Sequence, residues 1–142
     1  MAYCTYQNVA GEFKGLDVAS GILNSTILDD WIAQDTAYIN AKLKTVYTTP
    51  ITDADDLLIL KKICIGMVAQ RVSRFMEVKS ISPKGDQYIP RDLIKEAMST
   101  MDEIVNEKLI LNSTKAVSGG IVSSYTNDYT VERVFDTTID QW

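Results

Sequence analysis

The chain has 142 residues, 46% hydrophobic and 23% charged, which suits one globular domain with a single core and excludes wholesale disorder. A net charge of −5 argues against a dedicated nucleic-acid binder, whose affinity comes from clustered Lys and Arg on phosphates. The absence of histidine removes the commonest general base, the commonest zinc ligand and every Ser-His or Cys-His nucleophile pair.

Met1–Phe13 has no basic stretch followed by a long apolar run, so no signal peptide is expected, and the chain reads as soluble and made in a reducing cytoplasm. Thr5 can cap a short first helix through about Phe13, with Val9 and Phe13 on one face. Gly15 to Asn24 reads as a loop. Ser25 then reads as the cap of a long helix ending near Tyr47, about 35 Å long. Leu28, Trp31, Ile32, Ile39, Leu43 and Val46 form its apolar stripe, and Asp30, Asn40, Lys42 and Lys44 its solvated face. Asp35 interrupts the stripe at its edge.

Pro50 forces Thr49 out of helical geometry and stops that helix. Thr52 can cap the next one, with Asp55 returning the bond as in a capping box. Asp53, Asp55 and Asp56 then read as first-turn acids placed by the helix dipole, a better account than a calcium site lacking further ligands.

The second long helix, Asp53 to about Met76, is apolar on most sides. From Leu57 to Ala69 only Lys61, Lys62 and Gly66 are not apolar. Polar positions fall on one line, Lys62, Gly66, Gln70 and Arg74, while Leu57, Leu58, Leu60, Ile63, Cys64, Ile65, Met67, Val68, Val72 and Phe75 look for apolar neighbours. Such a helix is central, or pressed against a second chain. Gly66 leaves two readings open, a close approach of another backbone and a tolerated surface glycine. Cys64 reads as a buried reduced thiol, and its distance from Cys4 in the sequence supports neither a disulfide nor a metal site. The apolar run is too short and too charged to span a bilayer.

Lys79–Ile89 reads as a loop, its Pro83-Lys84-Gly85-Asp86 a turn and not a phosphate cradle. Pro90 opens a third long helix ending near Leu109, with Leu93, Ile94, Ala97, Met101, Ile104, Val105 and Leu109 at helical spacing, and Met98 and Met101 as core filler. From Asn112 the composition turns to Ser, Thr, Val and aromatics. Gly119-Gly120 reads as a hinge, Ile121–Tyr125 and Tyr129–Phe135 as two short strands, and Thr126-Asn127-Asp128 as their turn. A lone hairpin is marginal in water. It either packs back on the helices or is completed by another chain, and its exposed-type aromatics favour the second.

The fold expected is therefore mainly α: a small helical bundle, one short helix and three long ones, with an extended C-terminal β-hairpin or arm. Residues 1–111 form the body and 112–142 the arm. No catalytic residue, cofactor or metal ligand is expected.

Three stretches carry a resemblance: "YCTYQNVAGEFKG" (Tyr3 to Gly15), "YTTPIT" (Tyr47 to Thr52) and "VAQRV" (Val68 to Val72). Together they resemble the head–tail connector (head-completion or adaptor) proteins of long-tailed bacteriophages, well over the first 75 residues or so and in outline beyond. The resemblance implies a non-enzymatic virion protein of the neck region, a homo-oligomeric ring of twelve copies beneath the portal protein. The ring would extend the DNA channel and dock the tail or a tail-side stopper or tail terminator protein, with double-stranded DNA passing through the lumen without specific binding.

In that setting Tyr47, Pro50, Ile51, Thr52 and Asp55 fix the turn, and Arg71 pairs with an acid at the end of the central helix. Gly119, Gly120, Tyr125, Tyr129, Val131, Arg133, Phe135 and Trp142 become assembly contacts. The loop residues Lys79, Lys84, Asp86 and Tyr88 face the channel or the portal. An acidic lumen would repel phosphates over about 8–10 Å, so that DNA slides, whereas a basic lumen would overturn that idea. The competing expectation is a free-standing helical interaction module, regulatory or assembly-chaperone in kind, that binds a partner through its arm.

Overall fold

The computed structural model describes residues 1–13, 23–78 and 90–116. They form four α-helices: α1 (Tyr6–Gly11), α2 (Ser25–Leu43), α3 (Ala54–Val78) and α4 (Arg91–Val105). No strand occurs among the described residues beyond one isolated antiparallel bridge between Tyr47 and Lys115. The expected hairpin, Gly119-Gly120 hinge and Lys79–Ile89 loop lie outside the described residues.

At the starts of α1, α2 and α3, side chains reach unsatisfied backbone N–H groups. Thr5 precedes α1 as expected, and Asn8 Oδ1 accepts from the Thr5 amide at 3.1 Å and from its hydroxyl at 3.0 Å. At α2 the cap is Asn24, whose Oδ1 accepts from the Ile27 amide at 3.0 Å, and not Ser25. At α3 the cap is Asp53 in place of Thr52, its Oδ1 accepting from the amides of Asp55 and Asp56 at 3.1 Å each. Asp55 therefore donates to the cap through its backbone and returns no side-chain bond of the expected box. Both corrections share a cause: Asn and Asp cap at least as well as Ser and Thr, and each stands beside the residue expected to cap.

α2 and α4 end early, whereas α3 runs to Val78. α2 closes at Leu43, where Thr45 Oγ1 donates to the Lys42 carbonyl at 2.7 Å and the chain tightens into turns running to Tyr47. Local hydroxyl–backbone bonds of this kind compete with helix continuation. α2 is consequently about 28 Å long, shorter than expected. α4 ends at Val105 because Glu107 adopts a left-handed backbone (φ 57°). The Lys108 amide then donates to the Glu103 carbonyl at 2.8 Å and the Glu107 amide to Ile104 at 3.1 Å. That pair of bonds is a Schellman cap built on a residue type that seldom takes the left-handed position.

α3 is the central element, packed against α1, α2 and α4. It buries Leu60, Ile63, Cys64, Ile65, Val68, Ala69, Val72 and Met76 in one core shared with Val9 and Phe13, with Leu28, Ile32, Ile39 and Leu43 of α2, and with Met101 and Ile104 of α4. Trp31 meets Phe75 edge to face at 5.9 Å between ring centroids. The expected polar line of α3 is in part an inter-helix seam. Lys62 pairs with Glu96 of α4 at 2.7 Å, and Gly66 is buried directly beneath that helix. A Cβ on Gly66 would stand 2.3 Å from Ala97 Cβ and 3.0 Å from the Leu93 carbonyl oxygen, so close backbone approach is the correct reading of the two. Two apolar expectations fail. Leu58 is 65% exposed, and Met98 is exposed where Met101 alone fills the core.

Candidate functional site

The turn that carries the resemblance is the best-fastened irregular segment described. Tyr47 is buried and its hydroxyl accepts from the Leu111 amide at 3.0 Å. The Thr48 amide donates to the Thr114 carbonyl at 2.9 Å, and the Ala116 amide to the Val46 carbonyl at 2.8 Å. Asp56 is buried in the first turn of α3 and accepts from the Asn112 amide at 3.0 Å, the Ser113 amide at 2.7 Å and the Ser113 hydroxyl. Ile51 is buried, while Pro50, in a cis peptide bond with Thr49, is exposed like Thr52 and Asp55. Residues 111–116 are thus clasped across the α2–α3 joint. Sequence reasoning assigned Asp56 to the helix dipole and missed this role; an acid three positions past a sufficient cap was the only available hint.

Arg71 does pair with an acid, and the acid is Asp35. Nη2 donates to Asp35 Oδ1 at 2.5 Å and Nη1 to Gln34 Oε1 at 2.8 Å. Asp35 is only 2% exposed, and its Oδ2 has no hydrogen-bond partner among the described residues. Burial pushes the Asp35 carboxyl above the usual carboxylate range, against the opposing pull of the Arg71 guanidinium. The pair floors an open cavity of about 440 Å³ between α2, α3 and α4. Tyr38, Met67, Gln70, Arg74 and Met98 complete its lining, with Lys42 Nζ 5.7 Å from the Tyr38 ring centroid. Two arginines against one aspartate leave this cavity with surplus positive charge on a chain of net −5.

Near Thr36 of α2, Cys4 and Cys64 meet in the core although 60 residues apart. Their Sγ atoms are 3.3 Å apart and both thiols are free. The hydrogen bond that Cys4 donates to Cys64 pushes the Cys4 thiol well above its usual range, and burial adds to the shift. The same bond lowers Cys64, against burial and with help from the Thr36 hydroxyl 3.9 Å away. The pair holds one shared proton more tightly than the second.

Among the described residues, no group of three or more metal-ligating carboxylates or cysteines occurs and no helix is long and apolar enough to cross a membrane. The expected assembly residues Gly119, Gly120, Tyr125, Tyr129, Val131, Arg133, Phe135 and Trp142 lie outside the described residues, as do Lys79, Lys84, Asp86 and Tyr88. Among the described residues, the large apolar side chains left exposed are Met1, Tyr38, Leu58, Met98 and Ile110. Comparison with protein-family models, curated proteins and solved structures finds no match to this chain.

Proposed function

We propose that this chain is a structural connector protein of a tailed bacteriophage particle, a subunit of a twelve-membered ring between portal and tail. The ring extends the DNA channel and presents a platform for the tail or its stopper. The observation that supports this reading is the clasped joint. The Tyr47–Thr52 stretch, which carries much of the resemblance, ties the end of α2, the start of α3 and residues 111–116 into one unit through Tyr47, Asp56 and paired backbone bonds. A body so fixed holds residue 116 in place, and in this reading the arm beyond it engages a neighbouring subunit. The exposed Leu58 and Ile110 are available for heterologous contacts of the kind a cyclic ring needs.

The test is direct. The purified chain is mixed with a portal protein from the same genome and imaged by electron microscopy. Rings of about dodecameric size stacked on the portal are expected. A chain that stays monomeric or dimeric at high concentration and ignores the portal overturns the reading.

A second reading, a helical module that captures an acidic partner segment, is favoured by the cationic cavity around Arg71 and Arg74. It predicts a soluble one-to-one complex in place of a ring.

A further inference from the structure

We propose that Cys4 and Cys64 are a disulfide site, closed by thiol–disulfide exchange with a small disulfide such as oxidised glutathione, which locks the segment before α1 onto the central helix. The geometry carries this. The two sulfurs already touch at 3.3 Å with no third residue between them, and a bond requires an approach of about 1.25 Å. Cys64 sits in the middle of α3, a rigid wall. Cys4 sits in the bend before α1, which can supply the movement. Among the described residues, that segment is held by few bonds: the Tyr3 amide donates to Thr36 Oγ1 at 3.4 Å, and the Tyr3 hydroxyl to Asn40 Oδ1 at 2.5 Å. Met1, Ala2 and Thr5 around it are exposed.

Buried thiols are inert until local opening admits a reagent. Here the opening needs only residues 1–5 to lift, since Cys4 is the member on the loosely bonded segment. The exchange then balances in two steps. Lifting also removes the Cys64 hydrogen bond and the burial that hold the Cys4 thiol up. The freed Cys4 thiolate attacks one sulfur of oxidised glutathione, and a glutathione thiolate leaves and takes up the proton that Cys4 lost. When the segment closes, the Cys64 thiolate attacks the Cys4 sulfur. The second glutathione leaves as a thiol with the Cys64 proton. Two protein thiols are oxidised to one disulfide, and one glutathione disulfide is reduced to two thiols. The bond crosses a long span of chain, so most of its effect falls on the unfolded state.

In a reducing compartment the pair stays open, and it closes once the protein meets an oxidising one. Nothing in this chemistry depends on ring assembly, so its failure and the failure of the connector reading are separate results.

The full chain is incubated with oxidised glutathione, then alkylated under denaturing conditions and weighed by mass spectrometry. The expected product is a monomer lighter by two hydrogens, with no free thiol and with Cys4 and Cys64 in one cross-linked peptide. Its melting temperature should rise by on the order of 10 °C, and dithiothreitol should reverse the rise. Cys4→Ser should instead retain one thiol or carry glutathione, with no rise. A product bearing glutathione on either cysteine, a disulfide-linked dimer, or two unreacted thiols after prolonged exposure each overturns the proposal. All of these are read on the unmutated chain, so a variant that folds poorly does not affect the outcome.

Discussion

Asp35 is the residue whose chemistry is least at ease in its surroundings. It is buried, bonded to Arg71 through one oxygen, and without a described partner for the other. An unsatisfied buried acceptor costs stability, and a buried charge costs more unless paired. Its carboxyl therefore titrates above the ordinary 3.8. Below 3.8 the folded and unfolded chains both hold the proton, and the contribution of this group to stability is full. Between 3.8 and the raised folded value the unfolded chain releases the proton first, so that contribution is lost as pH rises. Asp35→Asn should remove this slope. Urea unfolding of both proteins from pH 3.5 to 7 should show the wild type losing stability relative to the variant as pH climbs. A wild type that gains relative to the variant over that range would show the Arg71 attraction outweighing burial. In the sequence, Asp35 was visible as a break in an apolar stripe, and an acid was expected beside Arg71, but nothing short of the packed α2–α3 pair could join the two.

At the scale of the elements, the α3–α4 crossing is set by two small residues, Gly66 and Ala97. Gly66→Ala gains about 1 kcal/mol in helix propensity. It also drives a methyl against Ala97 Cβ and the Leu93 carbonyl, neither on a flexible side chain. Overpacking of this kind costs about 1–3 kcal/mol. Chemical denaturation should find the variant less stable by up to about 2 kcal/mol, with part of the loss restored by Ala97→Gly in the same chain. A more stable single variant would mean that the helices part freely.

The three long helices were legible because apolar residues recur at helical spacing across each. Their exact limits were less so. Asn24 beside Ser25, and Asp53 beside Thr52, are neighbouring residues of nearly equal capping strength, and the choice between them is made by the backbone. The end of α4 was hidden for another reason. The left-handed position falls on Glu107, where no glycine or asparagine marks it.

For the whole molecule, the period of the helices conveyed a bundle with α3 at its centre, while the contacts that close it span long stretches of sequence and carry no local pattern. The Cys4–Cys64 contact joins residues 60 apart, the Tyr47–Leu111 bond residues 64 apart, and the Asp56–Ser113 bonds residues 57 apart. Leu58 illustrates the same limit. It lies in an apolar run, yet only the placement of α1, α2 and α4 decides which side of α3 stays open.

The clasp on residues 111–116 has a consequence in time. Each helix can form from neighbours in the chain, whereas the clasp has to wait until the whole span from Tyr47 to Leu111 has been brought round. Its bonds belong to the last stage of folding and the first stage of unfolding. Asp56→Ala strands the Asn112 and Ser113 amides and should cost about 2–4 kcal/mol. Nearly all of it should appear as unfolding faster by roughly two orders of magnitude, with the folding rate little changed. Stopped-flow kinetics would read this directly, and a slowed folding limb would mean that the clasp is already in place at the barrier. In a late-closing clasp, the lifetime of the native body is set by how long one carboxylate, one phenol and two backbone bonds keep six residues of chain from peeling away.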